Sequence, residues 1–320
     1  MRCVDVLSDV LDAVKMRGSL YFTTDFHPPW GVRVPARPRL ARFHLVVRGA
    51  CWVRAAGQPR AIRLEAGDLV LVPHGAEHTL SDAPDTACLT VDTILERTGF
   101  TGRGALVHGG EDAGSPTRLV CGYLAFDEHA THPLLERLPP SMVIEHDGQG
   151  ERSRLEQLYR VLEREARDAR PGGDAIVNRL AEAMFIQAIR VWAESEERDA
   201  GLMAALADPH LARSLSAIHG EPSRRWSLGL LAQEARLSRT VFAARFRRLV
   251  GMPPMQYVAF WRAQKARGVL VAGDATLEAI AHGVGYESTA AFCRIFKKWV
   301  GESPGSYRRR RDCQRPSDGP

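Results

Sequence analysis

The stretch Val284 to Tyr307, VGYESTAAFCRIFKKWVGESPGSY, has a counterpart in the same chain at Ala235 to Tyr257, ARLSRTVFAARFRRLVGMPPMQY. With the apolar run before each included, residues 228–257 and 277–307 align at an offset of 49, rising to 50 after a one-residue insertion at the turn. Leu228, Leu231, Ala232, Ala235 and Leu237 match Leu277, Ile280, Ala281, Val284 and Tyr286. Ser238, Phe242, Phe246, Val250, Gly251, Pro254 and Tyr257 match Ser288, Phe292, Phe296, Val300, Gly301, Pro304 and Tyr307. Agreement at twelve positions marks an internal repeat.

Each copy reads as a short helix, a tight turn and a second helix opened by a serine that can accept a bond from the free amides there. That is a helix-turn-helix. Ala232 and Ala281 are small where the first helix must approach the second, and Phe242, Phe246 and Val250, or Phe292, Phe296 and Val300, recur every four residues as a buried stripe. The opposite face offers Arg239, Thr240, Ala243, Ala244, Arg247 and Arg248 in the first copy and Thr289, Ala290, Cys293, Arg294, Lys297 and Lys298 in the second. Arginine fits phosphates and guanine edges, and threonine or alanine can touch a thymine methyl. Between the copies, Met255 to Val271 reads as one helix of about 25 Å. With its flanking turns it can separate the two second helices by one turn of duplex, roughly 34 Å. An ordinary helical bundle would explain neither the repeat nor its cationic outer faces.

The charge is divided along the chain in the same way. The 320 residues carry a net +5, but residues 222–311 hold 17 basic and 5 acidic side chains, so that segment is +12 and the remainder −7. A cationic domain on a mildly acidic body suits a polyanion binder attached to something else. At 45% hydrophobic and 25% charged the composition is globular, and the length fits about two domains. The most apolar stretch, Ala175 to Ala193, is interrupted by Asn178, Arg179, Glu182, Gln187 and Arg190, so it reads as an amphipathic helix and not a membrane span. The N-terminal residues carry Asp5, Asp9, Asp12, Lys15 and Arg17, which breaks the apolar core a secretory signal needs and points to a cytoplasmic protein. Six cysteines lie far apart with no Cys-x-x-Cys, so reduced packing thiols are expected; Cys51, Cys88 and Cys121 have no activating cluster beside them for a redox role.

Residues 209–311 resemble the DNA-binding domain of the AraC/XylS family of bacterial transcription regulators. The carrying residues are Trp226 to Ala232, Leu237 to Phe242, and above all Val284 to Phe292 continuing through Phe296 and Pro304 to Tyr307 and Arg308. The resemblance implies base reading by Thr240, Ala243 and Ala244 from the first unit and by Thr289, Ala290, Cys293 and Arg294 from the second. The expected phosphate contacts are Arg239, Arg247, Arg248, Lys297 and Lys298. Arg236 departs from the family, which generally has glycine in that turn; a left-handed backbone there would cost something like 1 kcal/mol. Since Ala243 and Ala244 can make only apolar contacts, the first unit is expected to supply position and shape, the second sequence choice.

The acidic end divides near Pro140. Before it, Ser19 to Asp25, Arg42 to Arg48, Cys51 to Ala55, Asp68 to Pro73 and Thr117 to Phe126 read as strands. After it, Glu151 to Arg170 and Asp174 to Ala193 read as a helical hairpin around Pro171-Gly172-Gly173, apolar enough to suggest a symmetric dimer. The stretch from Gly67 through Pro73 and Gly75 to His78 resembles the second cupin motif. With Phe43-His44, Gly49, Trp52 and Leu119 to Asp127, residues 1–198 resemble the cupin-type sensor that precedes this DNA-binding domain in many family members.

The expected fold is therefore multidomain α+β: a β-rich cupin-like barrel with a helical hairpin over 1–198, a linker at 199–208, an all-α domain with two helix-turn-helix units over 209–311 and a disordered tail at 312–320. The expected partners are double-stranded promoter DNA, RNA polymerase, a second copy of the chain and a small-molecule effector, with Tyr21, Trp30, His44, Trp52 and His78 as candidate cavity residues. His44, His74, Glu77 and His78 also invite a metal-dependent cupin enzyme with an accessory DNA-binding tail. The first cupin motif's His-x-His and glutamate are missing around His44, which has Arg42 and Val46 two residues away, so neither metal nor other cofactor is expected and no residue is assigned a catalytic role. Non-specific nucleic-acid packaging is a third reading, with the same salt dependence but no preferred site.

Overall fold

Asp5, whose carboxylate accepts from the Ser8 amide, opens helix α1 (Val6–Val14), and the apolar face of that helix is buried. The strands that follow are β1 (Arg17–His27), β2 (Gly31–Val34), β3 (Leu40–Arg48), β4 (Ala50–Ala55), β5 (Ile62–Glu65), β6 (Leu69–Val72), β7 (His78–Ser81) and β8 (Leu89–Thr90). Helix α2 (Val91–Thr98), strands β9 (Ala105–Gly109) and β10 (Thr117–Ala125), a turn of helix α3 (Pro133–Glu136) and strand β11 (Met142–Ile144) come next. Helices α4 (Gly150–Asp168) and α5 (Gly173–Glu194) form the hairpin that the Pro-Gly-Gly break implied. The computed structural model describes residues 4–102, 104–110, 115–126, 132–146, 150–168, 170–194, 201–273 and 275–314.

All five expected strands are present, within a few residues at each end. Among the described residues they are organised as two sheets that face each other. One has the order β11-β6-β3-β10-β1-β9 and the other β5-β4-β7-β2-β8. Their facing sides share one core: Phe26, Val46, Val70, Leu119 and Cys121 from the larger sheet and Val32, Val53, Leu64 and Leu80 from the smaller. Strand parity assigns every residue of β3 to a side. Arg42, His44 and Val46 face the second sheet, while Phe43 and Leu45 face away. Phe43 meets Leu71 and Leu124 in a cleft closed by Ala181, Met184 and Phe185 of α5. Gly18 lets α5 lie this close to β1, because a Cβ there would sit 2.5 Å from the Asn178 carbonyl oxygen.

The C-terminal helices are α6 (Leu202–Ala207), α7 (Pro209–Gly220), α8 (Leu228–Glu234), α9 (Arg239–Val250), α10 (Pro254–Ala272), α11 (Leu277–Gly283), α12 (Thr289–Val300) and α13 (Pro304–Gln314). The expected linker at 199–208 is in part α6, whose Ala205 is fully buried and whose preceding Gly201 amide bonds to the Leu249 carbonyl of α9; residues 199–200 lie outside the described ones. The expected tail begins inside α13, which runs to Gln314; residues 315–320 lie outside the described ones.

Two compact units result: residues 16–128 with 135–197, and residues 1–15 with 129–134 and 198–320. Helix α1 thus belongs with the C-terminal helices and not with the strands it precedes. Asp9 explains the attachment, accepting from His219 Nδ1 at 3.1 Å and from Lys265 Nζ at 2.9 Å. His219 is stacked on Trp261 at 3.9 Å between centroids, and its Nε2 accepts from the Tyr257 hydroxyl at 2.8 Å. Burial raises the Asp9 carboxyl, but the bonds from His219 and Lys265 and the lysine charge outweigh it and hold Asp9 below its ordinary value. His132 is buried edge-on to Tyr257, Phe260 and Trp261 in the same unit.

Candidate functional site

The two helix-turn-helix units are built alike. Ser227, Ser238, Thr276 and Ser288 each accept, through the side-chain oxygen, the third amide of the helix they open. Phe242 and Phe246 pack at 5.5 Å and Phe246 and Tyr257 at 5.7 Å; in the second unit Phe292 and Phe296 pack at 5.6 Å and Phe296 and Tyr307 at 5.8 Å. All six aromatics are buried, so each second helix is held by the stripe legible in the sequence.

What remains outside is the face expected to meet nucleic acid. Thr240, Ala244, Arg247 and Arg248 are exposed on α9, with Ala243 partly covered beside them. On α12, Ala290, Arg294, Lys297 and Lys298 are exposed, and Thr289 and Cys293 partly so. Arg239 is exposed too, but its guanidinium folds back toward α8, where a Cβ on Gly229 would meet it at 3.1 Å. Arg245, a basic residue of α9 outside the expected set, is engaged in the fold: it pairs at 2.5 Å with Asp208, which also caps α7.

The turns before the two recognition helices differ. Arg236 sits at φ 53°, the left-handed backbone expected at this departure from glycine, and its counterpart Gly285 sits at φ 89°. Arg262 of α10 explains why only the second turn requires glycine. Its guanidinium donates to the carbonyls of Pro222 at 2.8 Å, Arg224 at 2.8 Å and Gly285 at 3.0 Å, and lies over the Tyr286 ring at 5.2 Å. It fastens the turn before α12 to the loop before α8. No local signal in the sequence marks it.

The β unit holds a second arrangement. A cavity of about 260 Å³ opens between the sheets, lined mainly by apolar side chains from β1, β2, β7, β9, β10 and α2, and by Arg42, His44 and Cys121. His44 Nδ1 lies 3.0 Å from Cys121 Sγ, His44 Nε2 lies 2.8 Å from His78 Nε2, and His78 Nδ1 lies 2.9 Å from the Ala76 carbonyl oxygen. That carbonyl can only accept, so His78 carries its proton on Nδ1 and its Nε2 accepts. His44 therefore donates from Nε2, leaving Nδ1 to accept the Cys121 thiol proton. The result is one directional chain across both sheets. Burial keeps both imidazoles neutral: with the charges of His78 and Arg42 it pushes His44 well below 6.5, and with that of Arg42 it outweighs the bond to the Ala76 carbonyl and takes His78 to about 4. Burial, with Cys51 nearby, likewise keeps Cys121 a thiol.

Of the expected cavity residues, His44 lines it and His78 stands one hydrogen bond behind. Trp30 lies in the shared core against Phe26 at 4.9 Å. Trp52 is on the other side of β4 from Cys51 and Val53, which join the core, so it faces away. The Tyr21 side chain lies outside the described residues. His74 bonds to the Leu138 carbonyl at 2.8 Å and Glu77 is exposed, so neither converges with His44 and His78. Among the described residues no three His, Cys, Asp or Glu side chains gather as a metal site. The imidazole nitrogens are aimed at each other and the cation Arg42 stands beside them, an arrangement unsuited to a metal ion.

A cupin family model matches residues 5–194 and a helix-turn-helix domain model matches residues 231–310. A putative AraC-like transcription regulator of Streptomyces lividans is 32% identical over 96% of this chain and 98% of its own length. The chain belongs to the AraC-like transcription regulators. Another of the same description, from Streptomyces antibioticus, is 31% identical over 96% of this chain and 99% of its own. The crystal structure of the DNA-binding domain of AdpA, a global transcriptional factor in complex with a target DNA, is 29% identical, covers 34% of this chain and 98% of that one, and superposes with a TM-score of 0.33. This AraC-like chain thus joins a cupin domain to a helix-turn-helix DNA-binding domain of the regulator type. No helix among its described residues is long and apolar enough to cross a membrane.

Proposed function

We propose that this regulator binds promoter DNA sequence-specifically through α9 and α12 and is controlled by a small molecule held between the sheets of the β unit. The observation that carries it is the duplicated helix whose aromatic face is buried and whose cationic face is exposed. In the second unit Ala290, Cys293 and Arg294 are the candidate base readers, with Thr289 at the helix start; in the first, Thr240, Ala243 and Ala244. Arg247, Arg248, Lys297 and Lys298 flank them as phosphate contacts, and Arg239 does so only by swinging off α8. Val161 on α4 and Ile176 on α5 are exposed, which favours these helices as the contact between two copies. RNA polymerase is the further partner, the cytoplasm the compartment, and the chain catalyses no reaction. Coupling requires that the effector favour one arrangement of the chain over another, since equal affinity shifts nothing.

Footprinting on the duplex adjoining its own gene tests this. A discrete protected site, bound with log affinity falling steeply in log salt, is expected. Uniform coverage at every salt concentration would assign the chain to packaging instead. Stoichiometric metal together with turnover in a catalytic screen would favour the enzyme reading.

A further inference from the structure

Arg42 is 2% exposed and enters the cavity from the inward side of β3, two residues before His44. Its Nη1 donates to the Pro35 carbonyl, while its Nε is buried without a partner. Among the described residues no carboxylate lies within ion-pairing range of it. Asp92, the acidic side chain on the lining, is exposed in the first turn of α2 and is not paired with it. A buried cation left unmatched and a buried donor without an acceptor both destabilise the fold unless something bound there satisfies them. Of the other polar groups on the lining, Cys121 and His44 are committed to the chain that ends at His78 and Ala76, Thr24 Oγ1 accepts from the Leu119 amide, and Arg37, like Asp92, is exposed to solvent. Arg42 is left as the buried donor with unused capacity, facing walls made by Phe22, Phe26, Val32, Leu80, Leu106 and Leu119.

We propose that the cavity takes a monocarboxylate with a compact apolar body, its carboxylate seated on the free edge of the Arg42 guanidinium. The proposal rests on the cavity being the effector site and names the chemistry that site selects. One guanidinium presents a planar fork that matches a single carboxylate, whereas a phosphate dianion would ask for a second buried cation, and the other arginine on the lining, Arg37, is exposed to solvent. A cavity of 150 Å³ accommodates benzene, so 260 Å³ accommodates a molecule of about ten non-hydrogen atoms. A cationic wall where cupin chemistry would place a metal-binding histidine turns the cavity from cation-binding to anion-binding.

The test is calorimetric titration of the full chain at pH 7.5 with two isosteric pairs, octanoate against octanamide and phenylacetate against phenylacetamide. Each acid is expected to bind roughly 10- to 100-fold more tightly than its amide, the ratio set by one charge-assisted bond. In Arg42→Met the acids lose that advantage while the amides keep their affinity within about twofold. Should Arg42→Met fail to fold by circular dichroism, the acid-to-amide ratio in the parent chain decides alone. Amides that bind as tightly as the acids would overturn the carboxylate assignment and leave the effector cavity standing. Saturable binding by none of the four at several millimolar would overturn the effector reading, and this proposal with it.

Discussion

Gly285→Ala should cripple the helical unit, while Arg236→Gly, at the same place in the other repeat, should improve it. A Cβ on Gly285 would lie 2.6 Å from the Ser223 carbonyl oxygen, 2.8 Å from the Ser223 Cα and 2.7 Å from Arg262 Nη2. Two of those atoms are backbone, so the loop before α8 must move, an overpacking that costs about 1–3 kcal/mol. The left-handed φ of 89° adds about 1 kcal/mol for a residue bearing a Cβ. Displacing the loop also strains the Arg262 bond to the Gly285 carbonyl, about 1.5–3 kcal/mol for a charged donor. The lower ends together give roughly 3.5 kcal/mol, a large part of what holds a domain together. For Arg236→Gly, relief of about 1 kcal/mol of strain is offset by about 0.4–1 kcal/mol of added unfolded-chain entropy, leaving a gain of at most about 0.6 kcal/mol. Scanning calorimetry of the full chain should show the helical unit's transition fall on the order of 10 °C for the first variant and rise at most about 2–3 °C for the second. Combined with Arg262→Met, Gly285→Ala should cost less than the sum of the two, since both release the same loop. A Gly285→Ala transition within about 2 °C of the parent would refute the idea that close backbone approach, held by Arg262, fixes the turn before α12.

The cavity histidines set a pH dependence. His78 titrates near 4 in the folded chain against 6.5 when unfolded, so between those values only the unfolded state takes up the proton. Stability of the β unit should therefore be level above 6.5 and fall by about 3 kcal/mol toward pH 4, with His44 adding in the same direction; an unchanged urea midpoint from pH 7 to 4.5 would contradict the neutral chain. Arg294→Ala should relax preference at one base pair by roughly 1–3 kcal/mol, whereas Lys297→Ala should weaken all sequences alike and lower the salt slope by about 1, both read by binding to a panel of single-base variants. Asp9→Ala should leave the His219 Nδ1 proton and Lys265 without their carboxylate and cost about 1–3 kcal/mol, seen as faster hydrogen exchange along α1; exchange at the parent's rate would mean the helix is held by its apolar face alone.

The helical unit was legible because its information is local and written twice. Serine caps, a four-residue aromatic stripe and a basic opposite face each lie within a dozen residues, and a repeat offset checks one copy against the other. Arg262 and Asp9 escaped that reading because their partners are distant. Arg262 holds carbonyls 23 and 40 residues away, and Asp9 reaches residues 210 and 256 positions on. Nothing in composition or periodicity links α1 to a unit that begins again after the β-strands, so residues 1–15 read as part of the domain they precede. The short strands β2, β5, β7 and β8 escaped for a related reason: two to four residues carry too little alternation to stand apart from turns.

The cavity shows where parity could have gone further than motif. Trp52 was a candidate because an aromatic supplies wall area, yet period-two alternation puts it on the opposite side of β4 from Cys51 and Val53, which join the core. Applied to β3, the same alternation places Arg42 on the inner face with His44, in a stretch whose other inward residues are apolar. Its significance lay in charge and not in motif. A histidine missing from a metal-binding pattern reads as a lost function, but an arginine in its neighbourhood reverses the electrostatic preference of the space it faces. What parity could not supply was the absence of a carboxylate opposite it. That depends on which side chains β2, β7, β9 and α2 bring to the far wall, and those short elements were the least visible in the sequence.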